Sequence, residues 1–345
     1  MELTLIERVA NGHIFSRAEA EAVMEELLSG RVQTAEIVRL LRAMNGRPVQ
    51  VAELAGFASV MRRHAAAVFA EGEVRPAGMV DTCGTGGDGC NAFNISTAAA
   101  IVAAAAGARV AKHGNRAASS QSGSADVLEA LGVRIDLPLV EMGRAIRDLG
   151  IGFLFAPAAH AATRHAVPAR KEIAVRTVFN LLGPLTNPAG AQAQVLGVFS
   201  AEAIDLVAAT LAELGVERAF VVHGAGGLDE ISLAGETLVA EVRHGNVRRY
   251  VVTPEDFGVS SAPLAAVQGG TPAENAAIIR GIFAGEYGPR RDIVVINAAA
   301  ALVACGTADN FLDGARLAGS ALSSGAAGEK LSALSIFTKA ARSRN

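Results

Sequence analysis

The chain has 345 residues, of which 51% are hydrophobic and only 4% aromatic, and its formal net charge is −3. This length allows one large domain or two modest ones, and apolar content dominated by Ala, Val, Leu and Ile is typical of close-packed helices and buried parallel strands. The slight negative charge argues against a general nucleic-acid-binding protein, because such proteins usually carry a basic excess.

The cysteines and the N-terminus give no sign of secretion or of a membrane anchor. Cys83, Cys90 and Cys305 are an odd number without zinc-site spacing, so neither a disulfide framework nor a structural zinc site is predicted. The first residues lack the layout of a signal peptide, and the longest apolar run, 98–106, is too short to span a bilayer. We therefore expect a cytoplasmic protein that binds neither membranes nor nucleic acid.

The N-terminal part of the chain is predicted to be helical. Ser16 and Glu19 have the spacing of a capping box before a first amphipathic stretch, and Gly30 is placed to end it. Thr34 is predicted to cap a second helix that ends at Asn45-Gly46, and a third follows over about 51–68. No strand-like alternation interrupts these stretches, so the sequence predicts a small helical unit.

After Gly78 short apolar runs alternate with helical segments. This alternation predicts a mainly parallel wound sheet, and the pair of runs around Gly245-Asn246 predicts an antiparallel hairpin, so the sheet should be mixed. The predicted strands are 79–82, 109–112, 152–155, 194–199, 219–223, 238–242 and 247–252, and the predicted helices between them are 97–106, 124–131, 139–149 and 201–214. The end of the chain is again helical, and the proline-punctuated segment 167–188 is predicted to cross between two lobes.

The glycine-rich stretch Gly84-Thr-Gly-Gly-Asp-Gly89 formally matches the dinucleotide-binding pattern G-x-G-x-x-G. Two features oppose that interpretation. Residues 90–94 separate the glycines from the next helix, and the acidic residue expected about twenty positions later for ribose binding is missing. We therefore interpret the stretch as a loop that offers backbone N–H groups to phosphate rather than as a Rossmann motif.

Hydroxyl, amide and cationic residues follow that loop. Asn94-Ile-Ser-Thr97 opens a helix, with Ser96 or Thr97 as the predicted N-cap, and Lys112-His-Gly-Asn-Arg116 follows a strand. No Asp or Glu lies between Asp88 and Asp126, whereas Arg109, Lys112 and Arg116 all do. Together with the serines from 119 to 124, this composition predicts a site for a small molecule with several phosphates.

Two further groups of residues are candidates for binding a metal and a second substrate. Asp229-Glu230 follows a buried strand and a glycine turn, where adjacent carboxylates would suit Mg²⁺ shared with phosphate oxygens. Arg164, Arg170 and Arg176 are candidates for binding an anionic second substrate, and their spacing does not choose among them.

Taken in order, these motifs, with Arg176-Thr-Val-Phe-Asn-Leu-Leu-Gly-Pro-Leu-Thr-Asn-Pro188 and Gly227-Leu-Asp-Glu230, resemble the anthranilate phosphoribosyltransferases over nearly the whole chain. The resemblance implies transfer of the phosphoribosyl group of 5-phosphoribosyl 1-pyrophosphate (PRPP) to the amine of anthranilate, a step of tryptophan biosynthesis. It also implies the nucleoside phosphorylase/phosphoribosyltransferase-like fold: a small all-α domain (1–70, joined by part of 165–190) and an α/β domain (71–345) with a mixed, mainly parallel sheet flanked by helices. A homodimer through the helical domain is implied as well.

The same resemblance implies roles for individual residues. PRPP binding falls to Gly84, Gly87, Asp88, Asn94, Ile95, Ser96, Thr97, Lys112, His113, Gly114, Asn115, Arg116, Ala117, Ala118, Ser119, Ser120 and Ser124. Anthranilate binding falls to Gly84, Asn115 and Arg170, and Mg²⁺ binding to Ser96, Asp229 and Glu230. An aromatic amine is nucleophilic when neutral, so no general base is assigned, and His113 is the sole candidate for a catalytic contribution.

The chain departs from the family pattern at three places. Ala92 replaces a Thr that touches phosphate, Ala161 replaces a Pro, and Thr163 replaces a bulkier residue of the expected anthranilate channel. Two alternative functions are a pyrimidine nucleoside phosphorylase-like enzyme and a non-catalytic relative that binds nucleic acid. The complete 112–116 motif and the Asp229-Glu230 pair favour the transferase over the first, and the net charge disfavours the second.

Overall fold

The computed structural model describes residues 3–117 and 120–341, which form fifteen α-helices and a seven-stranded sheet. The helices are α1 Leu3–Ala10, α2 Arg17–Leu28, α3 Thr34–Asn45, α4 Val51–Arg63, α5 Ile95–Ala105, α6 Ser124–Ala130, α7 Leu139–Leu149, α8 Ala156–Ala159, α9 Val167–Ile173, α10 Phe179–Leu182, α11 Ala203–Glu213, α12 Pro272–Phe283, α13 Pro289–Ala304, α14 Phe311–Ser323 and α15 Ala326–Ala340. The strands are β1 Met79–Gly84, β2 Arg109–Gly114, β3 Ile151–Phe155, β4 Ala193–Gly197, β5 Arg218–Gly224, β6 Thr237–Arg243 and β7 Asn246–Val252.

The predicted capping box at the start of α2 is confirmed. The Glu19 N–H donates to Ser16 Oγ at 3.2 Å, and the Ser16 N–H donates to Glu19 Oε2 at 2.9 Å. The predictions for the next two helices are slightly wrong. Gln33, not Thr34, precedes α3, and α4 ends at Arg63 instead of continuing to residue 68. Just beyond α4 the Ala66 N–H donates to the Ala159 carbonyl at 2.9 Å, so the chain has already turned toward the α/β part.

The N-terminal helices are held together by a carboxylate that is completely buried. Glu53, in the first turn of α4, accepts hydrogen bonds from the N–H groups of Phe15 at 3.0 Å and Gln50 at 2.9 Å. The Arg47 guanidinium donates to both of its oxygens, at 2.5 and 2.9 Å. Burial alone would raise the pKa of Glu53, but these hydrogen bonds outweigh it and keep that pKa below its ordinary value.

The sheet has the strand order β3-β2-β1-β4-β5-β6-β7. Strands β1 to β5 run parallel, and β6 is antiparallel to both β5 and β7, which confirms the mixed sheet and the predicted hairpin. From β1 the chain winds outward through β2 and β3, then crosses back to place β4 on the other side of β1. The boundary between β1 and β4 is therefore the point where the winding direction reverses, which is where open α/β sheets bind ligands.

The two faces of the sheet are covered by different groups of helices. Phe220 and Val222 of β5 contribute to a core that includes α5 and α13, whereas Ala219 and Val221 contribute to a core shared with α11 and the N-terminal helices. This division follows from the two-residue period of a strand. Helix α5 is almost entirely buried, and its alanines allow the close packing with α13.

The segment that crosses between β3 and β4 joins the N-terminal core. Ala169, Ile173, Phe179 and Leu182 on α9 and α10 pack in the same apolar cluster as α2, α3 and α4. The fold class predicted from the sequence, a small helical part beside an α/β part, is confirmed. None of the helices in the described ranges combines the length and the apolarity needed to cross a lipid bilayer.

Replacing Glu53 with Ala should destabilise the protein by about 3 kcal/mol, because Arg47 and two backbone N–H groups would lose their buried partner. Urea unfolding at pH 7 measures this difference, with Glu71→Ala, at an exposed position, as the control. The pKa of Glu53 is lowered in the folded state. The stability that its carboxylate gives the protein is therefore fully present at pH 7 and is lost as the pH falls through that lowered pKa. The gap between wild type and variant should narrow in acid; a gap independent of pH would contradict this account.

Candidate active site

The polar motifs identified in the sequence meet at one edge of the sheet. The loops that follow β1, β2 and β5 leave the carboxyl ends of three parallel strands, and β1 borders the reversal point with β4. Parallel strands place their carboxyl ends at the same edge, so residues far apart in sequence become neighbours there. The Gly84–Gly89 and 112–116 motifs begin in the last residues of β1 and β2 and continue into these loops, and Asp229-Glu230 lies in the loop after β5.

The loop after β1 takes its shape from glycine backbone conformations. Gly86, Gly87 and Gly89 have φ values of 66°, 75° and 77°, which side chains rarely allow. This conformation turns the Gly86 N–H toward Asp229, whose Oδ2 accepts it at 2.8 Å. The Asp229 N–H points back to Asp88 Oδ2 at 3.4 Å, so the two loops contact each other in both directions.

Two strand-end glycines allow that contact. A Cβ on Gly84 would lie 3.0 Å from Asp229 Cγ, and a Cβ on Gly197, the last residue of β4, would overlap the Asp229 backbone. The sequence analysis named Gly84 but missed Gly197. A glycine inside the predicted strand 194–199 was the available signal, but only the pairing of β1 with β4 identifies what approaches it.

The N-terminus of helix α5 points toward Asp229 and Glu230 as well. The helix begins at Ile95 with Asn94 at the cap position, so the prediction of Ser96 or Thr97 as the N-cap is wrong. Glu230 Oε1 instead accepts a hydrogen bond from the Ser96 N–H at 3.1 Å. The Ile95 and Thr97 side chains are buried, which leaves their backbones as the groups able to face a ligand. The positive end of the helix dipole therefore faces Glu230.

The two adjacent carboxyl groups of Asp229 and Glu230 carry raised pKa values. Burial, reinforced by the charge of Asp88, raises the pKa of Asp229 to about 7. Burial, reinforced by the charge of Asp229, raises the pKa of Glu230 to about 8. Crowded carboxylates of this kind gain from a neighbouring cation.

These carboxylates and the Ser96 hydroxyl are oxygen donors suited to Mg²⁺. The described residues contain no cluster of three or more His, Cys, Asp or Glu side chains able to hold a metal ion. Mg²⁺ commonly binds through one or two carboxylates together with phosphate oxygens and waters. Asp229, Glu230 and Ser96 therefore fit a metal held jointly with a phosphorylated ligand.

Lys112 lies beneath this site rather than in the open cleft. Its Nζ donates to the Thr82 carbonyl oxygen and contacts Ser96 Oγ at 3.4 Å, and the residue is only 3% exposed. Burial lowers the pKa of Lys112, and the nearby Asp81 carboxylate opposes that effect. The ammonium therefore fixes the Ser96 hydroxyl from below.

Asp81, at the base of the site, is a further buried charge. Its carboxylate accepts hydrogen bonds from the His113 N–H at 3.0 Å and from Asn187 Nδ2 at 2.8 Å. Burial raises the pKa of Asp81, and the charge of Lys112 opposes that rise. Asn187 also donates to the Ala111 carbonyl at 2.7 Å, so it braces β2 against the crossing segment.

The three cationic residues noted between Asp88 and Asp126 do not all lie at the site. Arg109 begins β2, at the edge of the sheet opposite the site, and donates to the Arg147 carbonyl at 3.4 Å. Arg116 is close to the site, but its guanidinium is paired with Asp126 at 2.9 Å and Glu129 at 2.5 Å. The absence of acids between residues 88 and 126 therefore did not indicate unpaired positive charge, because α6 supplies the partners.

The loop after β2 is organised by hydroxyl and carboxylate side chains. Ser124 Oγ accepts from the Asn115 N–H and donates to the Asn115 carbonyl, both at 3.2 Å. Asp126 accepts from the N–H groups of Ala117 and Gly123, both at 2.9 Å. Ser120 Oγ contacts the Ser122 carbonyl oxygen at 3.4 Å. The predicted site residues Ala118 and Ser119 lie outside the described residues.

Asn94 is held in place by Ser122, one of the predicted serines, and by Asn275, which the sequence analysis did not single out. Its Oδ1 accepts from Ser122 Oγ at 3.0 Å and from Asn275 Nδ2 at 2.9 Å, while its Nδ2 donates to the Ser122 carbonyl at 3.0 Å. Asn275 lies on α12, is 2% exposed, and accepts from the Gly270 N–H at 2.8 Å. No sequence motif marks Asn275, because it reaches the site through tertiary packing alone.

His113 is buried beneath the loop after β2. Burial, with the neighbouring His160, lowers the pKa of His113 to about 3, so its imidazole is neutral at physiological pH. The two rings meet edge to face with centroids 5.2 Å apart. The Nε2 atoms of both rings are buried without a partner in the described part of the chain. A group with this pKa is a weak base.

The three candidate arginines occupy different environments. The Arg170 guanidinium lies over the Phe179 ring at 5.3 Å, and burial lowers its pKa. Arg176 reaches the glycine loop, where its Nη2 donates to the Gly87 carbonyl. Arg164 is exposed like the other two, and it stacks on no aromatic ring in the described part of the chain. The structure thus separates three residues that the sequence could not rank.

Of the departures from the family pattern, Ala92 and Thr163 both have defined contacts. Ala92 forms an isolated antiparallel bridge with Gln268, so its backbone ties the glycine loop to the segment before α12. Thr163 Oγ1 donates to the His160 carbonyl at 2.7 Å, and Ala161 is exposed beside it.

Comparisons with known proteins agree with this architecture. Residues 3–65 match the helical bundle domain of the glycosyl transferase family, and residues 76–328 match its α/β domain. The anthranilate phosphoribosyltransferase of Pelotomaculum thermopropionicum is 53% identical over 333 residues, covering 96% of this chain and 95% of that protein. The Symbiobacterium thermophilum enzyme of the same name is 48% identical over 341 residues, covering 99% of both chains.

Solved structures of anthranilate phosphoribosyltransferases are also similar to this chain. The anthranilate phosphoribosyltransferase from Thermus thermophilus superposes with a TM-score of 0.91 at 46% identity, covering 97% of this chain and 99% of that one. The Saccharomyces cerevisiae enzyme, solved in complex with PRPP and Mg, superposes with a TM-score of 0.84 at 28% identity and covers 94% of each chain.

A helical bundle beside a wound α/β sheet, matched over both parts by the glycosyl transferase family, defines a glycosyltransferase of this class. Within that class, the chain belongs to the anthranilate phosphoribosyltransferase family. It transfers the phosphoribosyl group of PRPP to anthranilate in tryptophan biosynthesis, as the sequence motifs predicted.

Replacing Asn275 with Ala should weaken PRPP binding about fivefold, since Asn94 would lose one of the hydrogen bonds that orient its amide. Anthranilate affinity should change little. Calorimetric titration with Mg²⁺–PRPP measures the effect, and Asn246→Ala on the distant β6–β7 hairpin is the matched control. Equal PRPP affinity in the Asn275 variant and wild type would show that Asn94 is positioned without Asn275.

Proposed function

We propose that this chain binds Mg²⁺–PRPP and anthranilate at the carboxyl edge of β1, β2 and β5, and joins them there. One observation supports this placement above all. The N–H groups of Gly86 and Ser96, from a glycine loop and a helix N-terminus, converge on the adjacent carboxylates Asp229 and Glu230. Phosphate-binding backbone and metal-binding oxygens thus share one site at the reversal point of the sheet.

The chemistry requires a stabilised leaving group and a held nucleophile. The anthranilate nitrogen forms the new bond to C1 of the ribose, while the C1–O bond breaks and its electron pair leaves with pyrophosphate. The amine then releases a proton. Charge develops mainly on pyrophosphate and on the ribose ring, so alignment and electrostatic complementarity supply most of the rate enhancement.

In this proposal the pyrophosphate end is held by backbone N–H groups of the glycine loop and the first turn of α5 other than those of Gly86 and Ser96, which donate to Asp229 and Glu230. When bound, Mg²⁺ would neutralise charge on the leaving pyrophosphate, with Asp229, Glu230 and Ser96 as its protein ligands. Lys112 acts through Ser96, whose hydroxyl it contacts at 3.4 Å. Arg116 is paired with Asp126 and Glu129 and serves first to order the loop after β2.

Anthranilate is assigned to Arg170 and Asn115. The Arg170 guanidinium has no carboxylate partner among the described residues, and its stacking on Phe179 leaves its edge able to pair with a planar carboxylate. The Asn115 Oδ1 accepts from the Arg116 N–H at 2.8 Å, whereas its Nδ2 has no partner in the described ranges. A spare amide donor suits a carboxylate or an amine lone pair.

No general base is proposed. With a pKa of about 3, the His113 imidazole would stay neutral throughout the reaction and would accept a proton poorly. A neutral aromatic amine needs no prior deprotonation to attack C1. His113 is therefore proposed to position Asp81 through its backbone N–H, which lies 3.0 Å from that carboxylate.

The organisation of the whole molecule is also part of the proposal. We place the division between a helical domain and an α/β domain near residue 70, with part of 165–190 belonging to the helical domain. The packing of α9 and α10 with α2 to α4 supports that assignment. A homodimer through the helical domain and a cytoplasmic location are proposed as well, and sedimentation equilibrium tests the dimer.

Loss of anthranilate fluorescence on adding PRPP and Mg²⁺ tests the proposed reaction directly. Phosphate-dependent cleavage of uridine without that fluorescence loss would favour the nucleoside phosphorylase alternative. A shift of DNA or RNA at low salt without turnover would favour the nucleic-acid-binding alternative.

Replacing both Asp229 and Glu230 with Ala should lower turnover about a hundredfold or more while leaving the fold intact, because the pyrophosphate charge would lose its metal. The measurement is the fluorescence assay with Mg²⁺ in excess. A variant carrying Asp205→Ala and Glu217→Ala, two carboxylates away from this edge, is the matched control. Near-normal turnover in the Asp229/Glu230 variant refutes the metal assignment.

Replacing Arg170 with Ala should reduce kcat/KM for anthranilate about 10- to 100-fold, the value of a charge-assisted hydrogen bond, while PRPP affinity changes little. Steady-state kinetics with each substrate varied in turn separate the two effects, and Arg164→Ala is the comparison. If Arg164→Ala gives the larger loss for anthranilate, Arg164 is the residue that binds the carboxylate.

A further inference from the structure

Arg176 occupies a position that the proposed roles leave unexplained. It lies in the crossing segment after α9, and its guanidinium rests on the Phe199 ring, 4.1 Å from the ring centroid. Its Nη2 donates to the carbonyl of Gly87 in the glycine loop. Although Arg176 is exposed, both the flat face and the donor edge of its guanidinium contact the protein, and no carboxylate among the described residues pairs with it.

The backbone of the same residue is anchored to the N-terminal helices. Asn45, the last residue of α3, donates from Nδ2 to the Arg176 carbonyl at 2.8 Å. Arg176 therefore connects the end of α3, through its carbonyl, with the glycine loop after β1, through its guanidinium.

The glycine loop is tied down at both ends, by the Thr85 N–H to the Gly197 carbonyl at 2.9 Å and by the bridge of Ala92 with Gln268, so its middle depends on the contacts of Gly86, Gly87 and Asp88. Gly86 and Gly87 lack side chains, and within the described residues Asp229 accepts the Gly86 N–H while Arg176 donates to the Gly87 carbonyl. The neighbouring Thr85 is bound to the same region as Phe199, since its Oγ1 accepts from the Phe199 N–H at 3.0 Å. Phe199 thus supports both the loop and the arginine that reaches it.

We propose that Arg176 is a positioning residue for PRPP. By binding the Gly87 carbonyl, it holds the following peptide, and with it Asp88, in the orientation that presents the loop to pyrophosphate. The proposal rests on the proposed placement of PRPP at this loop. It assigns Arg176 to the PRPP side of the reaction, although its sequence position equally suggested a contact to the carboxylate of anthranilate.

Calorimetric titration with Mg²⁺–PRPP of wild type, Arg176→Ala and Arg176→Lys tests this assignment. The Ala variant should bind PRPP about tenfold more weakly, and the Lys variant, which keeps a donor but not the planar stack, should recover part of the loss. The KM for anthranilate at saturating PRPP should change less than about twofold. Arg243→Ala, an exposed arginine at the far end of β6, is the matched control.

A second pair of variants tests the connection to α3. Asn45→Ala should weaken PRPP binding in the wild-type background, and this effect should disappear in the Arg176→Ala background, where no guanidinium remains to be positioned. Thermal melting of each variant reports any general loss of stability.

The outcomes are distinguishable. Failure of the wild type to bind Mg²⁺–PRPP overturns the proposed function itself. Normal PRPP binding by Arg176→Ala, with wild-type binding intact, overturns the positioning role alone. A selective rise in the anthranilate KM would instead make Arg176 a contact to that substrate. Additive effects of the Asn45 and Arg176 variants would remove the link to α3.

Discussion

The architecture of the site depends on how closely the Asp229 segment approaches the ends of β1 and β4. Side chains at Gly84 and Gly197 would collide with Asp229, so two glycines on paired strands create the space that it fills. Once there, Asp229 accepts the Gly86 N–H, and Glu230 accepts the Ser96 N–H. Carboxylates, glycine loop and helix N-terminus are therefore one connected unit, and displacement of one would disturb the others.

Beneath that unit lies a buried ionic layer made of Asp81 and Lys112. Burying two charges is costly, and it is tolerated here because each is hydrogen-bonded by neighbours that the sheet positions. Asp81 accepts from His113 and Asn187, while Lys112 donates to Thr82 and reaches Ser96. The layer connects β1, β2 and the crossing segment, so the ends of these strands are rigid where the site needs defined geometry.

The crossing segment combines structural and functional roles. Its apolar residues complete the core of the N-terminal helices, while Arg176 and Asn187 reach back to the α/β part. Because the crossing segment contacts both the N-terminal helices and the α/β part, it fixes the position of one relative to the other. Arg170, the proposed anthranilate contact, lies on the same segment, with its guanidinium over the Phe179 ring.

The sequence by itself determined the elements and the reaction class. Capping residues, strand alternation and the hairpin glycine act through local backbone preferences, and the ordered motifs identified the family. The hydrogen-bond and ion-pair partners of the site residues were decided only by the tertiary structure. Arg116 is neutralised by α6, Lys112 is buried under Ser96, and Asn94 is oriented by Asn275 from α12. These contacts join residues through strand order and packing, which no local pattern encodes. The N-cap position of Asn94 was missed for the same reason, because the Ser96 N–H in the first turn of α5 is bound by the distant Glu230 and not by a neighbouring cap side chain.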